Sequence, residues 1–251
     1  MIIFVDRRGR IVYNYNKIIL KEVGSTARTR HMIAAALFTA FSVFACSVAP
    51  VDRQQQLIDE MNAKYGDNFT FAENAGGGTD FGEYLAIFVR SEKLPDEKIF
   101  AVHGSFDGKT ENRDNYMAYL LRPEADSFMT DMASSVYGEC RAFVKPDERS
   151  VLPPEITKDS SAEDMLRSTK VYCTVYLPPE RELSDKEEKL EEFFGRLKSS
   201  EIRCYLNVTY TGSEKVYNSL DGRTDPDSAD KRAECRLGMD DDFNIVEKQW
   251  G

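Results

Sequence analysis

The sequence predicts an α+β fold, with helices packed on a mixed β-sheet and a βαβ unit in the C-terminal half. Three observations predict it. Residues 170–177 (KVYCTVYL) and 202–210 (IRCYLNVTY) alternate core-type and polar or aromatic side chains, the period of a half-buried strand. Between them Leu190, Phe193, Phe194 and Leu197 recur at helical spacing, and strand–helix–strand implies a right-handed crossover between parallel strands. Upstream, short apolar runs punctuated by turn residues read as an antiparallel meander. The 251 residues are 41% hydrophobic and 11% aromatic, which suits a packed core and not a disordered chain.

The chain divides at a step in charge. Residues 1–45 hold seven Lys/Arg against Asp6 and Glu22, which leaves 26 bases and 41 acids in residues 46–251, a net charge of −15. Residues 1–31 form an N-terminal extension in which Ile11, Tyr13 and Tyr15 alternate with Val12, Asn14 and Asn16 as in a strand. Two readings of the extension stand: translation starts downstream of Met1, or the segment is a cytoplasmic extension. Residues 32–45 (MIAAALFTAFSVFA) carry no charge and no polar side chain besides Thr39 and Ser42. As a helix this run rises about 21 Å, short of the roughly 30 Å hydrocarbon core but the length of a signal-peptide h-region. Arg28 and Arg30 ahead of it supply the cationic n-region that stays in the cytoplasm.

The body opens with a helix whose Leu57, Ile58, Met61 and Tyr65 share a face and whose stop is Gly66. Strands are expected at 69–72, 83–90, 98–103 and, after the turn Phe106-Asp107-Gly108-Lys109, at 115–121 (NYMAYLL). Pro123 suits a first helical turn, Ala125, Phe128, Met129, Met132 and Val136 make a stripe, and Gly138 ends that helix before a strand at 140–144. Residues 146–160, rich in Pro, Asp and Ser, read as a linker between modules at 46–145 and 161–251. Ser160 with Glu163, and Ser184 with Glu187, have capping-box spacing. The last forty residues show turns at Asp221-Gly222 and Asp225-Pro226 and an acidic tail.

At the end of the apolar run, Val43-Phe44-Ala45-Cys46 resembles the lipobox of bacterial lipoproteins, with Phe44 bulkier than the pattern prefers. The resemblance implies that Cys46 receives a diacylglycerol thioether and becomes the mature N-terminus, anchoring the protein outside the cytoplasmic membrane. Cleavage after Ala45 to a secreted protein and an uncut anchor are the alternatives. Lys64-Tyr65-Gly66-Asp67-Asn68-Phe69 and Tyr137-Gly138-Glu139-Cys140-Arg141-Ala142-Phe143 also resemble segments of uncharacterised bacterial surface lipoproteins, a family that brings no known activity.

The residues that could carry chemistry are few. Cys140, Cys173, Cys204 and Cys235 lie 33, 31 and 31 residues apart without the paired knuckles of a zinc site, so buried thiols, or one or two disulfides, are the readings. His103 reads as a strand-end residue, and Gly76-Gly77-Gly78-Thr79-Asp80 as a turn lacking the Lys-Ser/Thr of a phosphate loop. Asp240-Asp241-Asp242 with Asn244 begins like a calcium loop and then fails, since Ile245 stands where glycine is required. Asp225, Asp227 and Asp230 read as a solvated acidic loop. No catalytic residue, cofactor or metal site is assigned, and a body at −15 disfavours nucleic acid. The expected function is a lipid-anchored, extracytoplasmic binding module whose partner is the membrane through its anchor and a protein or small molecule beyond it. The alternative is an extracytoplasmic hydrolase using paired carboxylates.

Overall fold

The structure is a computed structural model and describes residues 2–5, 11–14, 52–78, 84–223 and 225–251. The apolar run at 32–45 and Cys46 lie outside the described residues, as do Thr79 and Asp80. The chain forms two compact units, Met1–Asp52 and Arg53–Gly251. In the first, β1 (Ile2–Val5) and β2 (Ile11–Asn14) pair antiparallel, Ile2 opposite Asn14.

The second unit is α+β and holds two sheets. Helix α1 (Arg53–Tyr65) buries Leu57, Ile58, Met61 and Tyr65, and the Gly66 amide closes it on Asn62 O at 2.9 Å. The four-stranded antiparallel meander follows: β3 (Phe69–Gly78), β4 (Tyr84–Ser91), β5 (Ile99–Phe106) and β6 (Lys109–Asp114), in that order. Its β3 is longer than the sequence indicates, because two bulges let the polar stretch to Gly78 keep pairing with β4. Asp107 (φ 50) and Gly108 (φ 82) make the tight β5–β6 turn, where two left-handed residues match the strand twist.

That turn sets a correction. The strand after it is the polar KTENRD, not 115–121, whose apolar residues form the buried helix α2 (Tyr116–Leu120). Helix α3 (Arg122–Tyr137) buries Ala125, Met129, Ala133 and Tyr137, with Phe128, Met132 and Val136 at the margin of the core.

The second sheet has the order β11-β10-β9-β8-β7, from β7 (Arg141–Pro146), β8 (Val171–Leu177), β9 (Cys204–Thr211), β10 (Lys231–Met239) and β11 (Ile245–Trp250). Strands β8 and β9 are parallel and joined through α5 (Lys186–Ser199), which is the expected βαβ unit; the other pairs are antiparallel. Short helices α4 (Ala162–Ser168) and α6 (Glu214–Ser219) flank it. Strands β10 and β11, within the tail read only as turns and acid, are additions to the sequence reading.

One core cluster runs through both sheets, from Ile87, Val89 and Ile99 to Val171, Val175, Phe193 and Val208. Leu152 and Ile156, from the segment read as a linker, are buried in it. The cap of α4 is Ser161 with Asp164, one residue beyond the expected pair, and the N-cap of α5 is Asp185, which makes no side-chain capping bond.

Candidate functional site

Helices α3 and α5 cover one face of the five-stranded sheet, and alternation turns the other face outward. The ladder register sets its side chains in rows. Lys145, Tyr172, Tyr205 and Gly238 form the first, Phe143, Thr174, Asn207 and Arg236 the second, and Arg141, Tyr176, Thr209 and Glu234 the third. The third row is covered. Tyr176 donates to Asp225 Oδ1 at 2.6 Å and Arg141 lies 4.9 Å from the centre of the Tyr217 ring, and the cover reaches the second row where Gly222 approaches Phe143.

The first row is open. Tyr172 and Tyr205 are 45% and 43% exposed, and their rings stack with centroids 5.0 Å apart at 21°. Lys170 places Nζ 3.8 Å from the Tyr205 ring centroid while donating to the Met239 carbonyl. Beside Tyr205 the missing side chain of Gly238 leaves a shallow gap, bordered by Val246, which is 64% exposed at the bulge in β11. In the second row Asn207 donates to Glu234 Oε1 at 2.9 Å, and its own Oδ1 has no partner among the described residues. Burial pushes the Glu234 carboxyl up, but the bonds from Lys231 and Asn207 outweigh it and hold the group below its ordinary range. Flat aromatic area beside fixed polar groups is suited to binding, because phenol rings present much surface with few rotors.

In the meander half, two carboxylates are bonded by different groups of Tyr116. Buried Asp114 accepts from Tyr65 Oη at 2.8 and 2.9 Å, from the Tyr116 amide at 3.0 Å and from Lys64 at 3.4 Å. Asp67 accepts from Tyr116 Oη at 2.7 Å, from the Asn68 amide at 2.8 Å and from Ser91 Oγ. Burial alone would raise Asp67, and the hydroxyls of Ser91 and Tyr116 bring it below the ordinary carboxylate value. Both carboxylates are engaged in joining α1, β4, β6 and α2.

His103 lies within β5, not at its end. Arg53 Nη1 approaches its Nε2 at 3.2 Å, its Nδ1 lies 2.7 Å from Asn112 Oδ1, and Asn112 donates to Glu60. Arginine can only donate, so Nδ1 carries the proton and the chain of bonds runs from cation to carboxylate.

No family model and no curated protein matches the chain. A solved structure of a DUF5037 family protein from Ruminococcus gnavus is similar over 66% of this chain and 78% of that one, at 14% identity and a TM-score of 0.31.

The residues singled out in the sequence do not converge. Gly76, Gly77 and Gly78 belong to β3 and are not a turn. Asp240 Oδ1 accepts from the amides of Asp242 (3.0 Å) and Asn244 (2.8 Å), so it caps the β10–β11 turn. Asp225 serves Tyr176, and among the described residues no group of three or more His, Cys, Asp or Glu is placed to hold a metal. Cys140, Cys173, Cys204 and Cys235 are buried free thiols, pushed up chiefly by burial. The tyrosine pair went unremarked in the sequence, although the alternation that turns Cys173 and Leu206 inward turns Tyr172 and Tyr205 outward.

Proposed function

We propose that this is an exported bacterial protein, held outside the cytoplasmic membrane by lipid on Cys46, that binds an extracytoplasmic partner on the open face of its five-stranded sheet. The observation that carries the binding reading is the stacked pair of Tyr172 and Tyr205 left in solvent beside Gly238. Contiguous exposed aromatic surface, unlike apolar side chains scattered singly, is concentrated where proteins meet partners. The anchor rests on the cations, the apolar run and Val43-Phe44-Ala45-Cys46 in the sequence. A single acyl chain holds a protein marginally, so stable attachment needs the two or three chains that lipobox processing installs.

Two measurements test the two halves of the reading. Cys46→Ser in the full chain should abolish fatty-acid labelling and either release the protein or leave a heavier precursor. Full membrane retention of the mutant, with no lipid label on the wild type, overturns the anchor. A photo-cross-linking residue in place of Tyr172 should give an adduct in intact cells that one in place of exposed Lys198 does not. Equal labelling from both positions, or none from 172, overturns the binding face.

A further inference from the structure

Strand β11 ends the five-stranded sheet and has one neighbour, β10, among the described residues. The ladder between them fixes which backbone groups face outward. Gly251 N donates to Glu234 O at 2.8 Å, and Glu234 N to Gly251 O at 3.0 Å. Bonded and unbonded pairs alternate along an antiparallel ladder, so Gln249 and Glu247 also turn toward β10. Lys248 and Trp250 therefore turn their N–H and C=O groups away from the sheet. No group among the described residues bonds them there, and Ile245–Gln249 are exposed throughout. The opposite edge is treated differently: Asp126 and Thr130 of α3 accept from the Val144 and Ala142 amides of β7. The fold closes one edge of this sheet and leaves the other able to take up a strand.

Apolar surface collects at the same edge. Of the five large hydrophobic side chains exposed among the described residues, Tyr172, Tyr205, Ile245 and Val246 lie on this sheet, and Phe71 alone lies elsewhere. The row of Tyr172, Tyr205 and Gly238 continues to Glu247 of β11. Val246 borders the gap at Gly238, so the stacked tyrosines and the unpaired edge form one surface. The irregular pairing beside Val246 ends the ladder and leaves residues 247–251 as the length available for regular pairing.

We propose that β11 accepts an extended cationic segment of another protein as a sixth strand. This rests on the open sheet face as the binding face and names the class of partner it takes. Amides and carbonyls that recur at every second residue are complementary to another extended main chain. Antiparallel entry is the more stable pairing, and it bonds both outward groups of Lys248 and of Trp250. Charge selects the side chains. The body at −15 repels a second copy of itself and attracts a cationic strand. On the open face a lysine or arginine of the added strand falls beside exposed Glu247 as a cross-strand pair. On the helix face, where Trp250 stands opposite Cys235, an apolar residue falls beside the indole. The partner is thus a strand that alternates basic and apolar residues.

Titration of the full chain in detergent, at physiological ionic strength, with an end-blocked heptapeptide of alternating lysine and valine tests this. Saturable binding is expected, and amide exchange at Lys248 and Trp250 should slow by about tenfold or more at saturation. N-methylation of the valines, whose amides face β11, should weaken binding by about tenfold or more, and N-methylation of the lysines should not. Lys248→Pro removes an outward amide and no bond to β10, so it should weaken the peptide about as much while the circular dichroism stays unchanged. Absence of saturable binding, or the same effect from both methylation patterns, overturns the proposal. A dimer of the full chain that Lys248→Pro dissolves, without peptide binding, overturns it in favour of a second copy. Either failure, if the adduct at position 172 still forms in cells, removes the added strand and leaves the binding face standing.

Discussion

Phe193 and Phe194 are neighbours on α5 with different surroundings, and the contrast shows what apolar spacing does and does not specify. Successive helical residues point about 100° apart. The stripe Leu190, Phe193 and Leu197 occupies the middle of the buried face, which turns Phe194 to its margin, where it is only partly buried. The sequence identified the face but placed both rings in it. Phe193→Ala should therefore cost about 3–5 kcal/mol, by lost burial and a cavity that cannot collapse, and Phe194→Ala about 1 kcal/mol. Denaturant midpoints check this, and equal losses at the two positions would contradict the packing. The two capping boxes show the same limit at single residues. Ser160 and Ser184 both have the right spacing, yet Ser160 Oγ accepts from the Thr157 amide and Ser184 donates to Glu182. Glu187 is claimed by Lys248 and by Trp250 at 2.6 Å, partners 61 and 63 residues away that no local motif reveals.

Among elements, those with a period were legible and those without were not. Strands β8 and β9 and helix α5 were readable because one face of each is buried and the other is not. Strand β6 has no such contrast; a tight turn and the register with β5 impose its conformation on a polar string. Helix α2 is apolar all round because it is enclosed, and a short run of that kind does not distinguish strand from helix. The outward tyrosines were implicit in alternation, but their stacking needed the register that sets Tyr172 opposite Tyr205. Strand β7 raises a different matter, since it ends the sheet and leaves amides that point away from β8. Two side chains one turn apart on α3 take them: Asp126 Oδ1 accepts from the Val144 amide at 2.5 Å, and Thr130 Oγ1 from the Ala142 amide at 2.9 Å. This closes an edge that would otherwise invite pairing with another chain. Asp126→Ala with Thr130→Val should cost about 1–3 kcal/mol for each amide left unpaired. The Val144 and Ala142 amides should also exchange with solvent faster than those paired to β8, and unchanged exchange there would show that the helix does not cap the edge.

At the scale of the whole molecule, the hidden feature was the joining of the two sheets. The segment at 146–160 has the composition of a linker, yet Leu152 and Ile156 enter the core, and the Leu152 amide donates to Asp114 O at 2.8 Å. Composition reports the polar majority of such a segment, whereas two buried side chains and one backbone bond decide where it goes. A shared core implies that residues in either half report on one unfolding transition. Buried tyrosines in each half allow a test. Burial, and then the nearby Glu97 carboxylate, push Tyr119 on α2 to about 12; burial and Asp185 push Tyr210 on β9 to the same value. An unfolded tyrosine titrates at its ordinary 10.0, so between pH 10 and about 12 the unfolded chain has given up protons that the folded chain keeps. Stability contributed by these phenols is complete below pH 10 and is lost as the pH rises through that window. Tyr119→Phe and Tyr210→Phe should each flatten the fall in denaturant midpoint over the window, and both should act on the same cooperative transition. Two separable transitions, one sensitive to each substitution, would show that the halves unfold independently despite their common core.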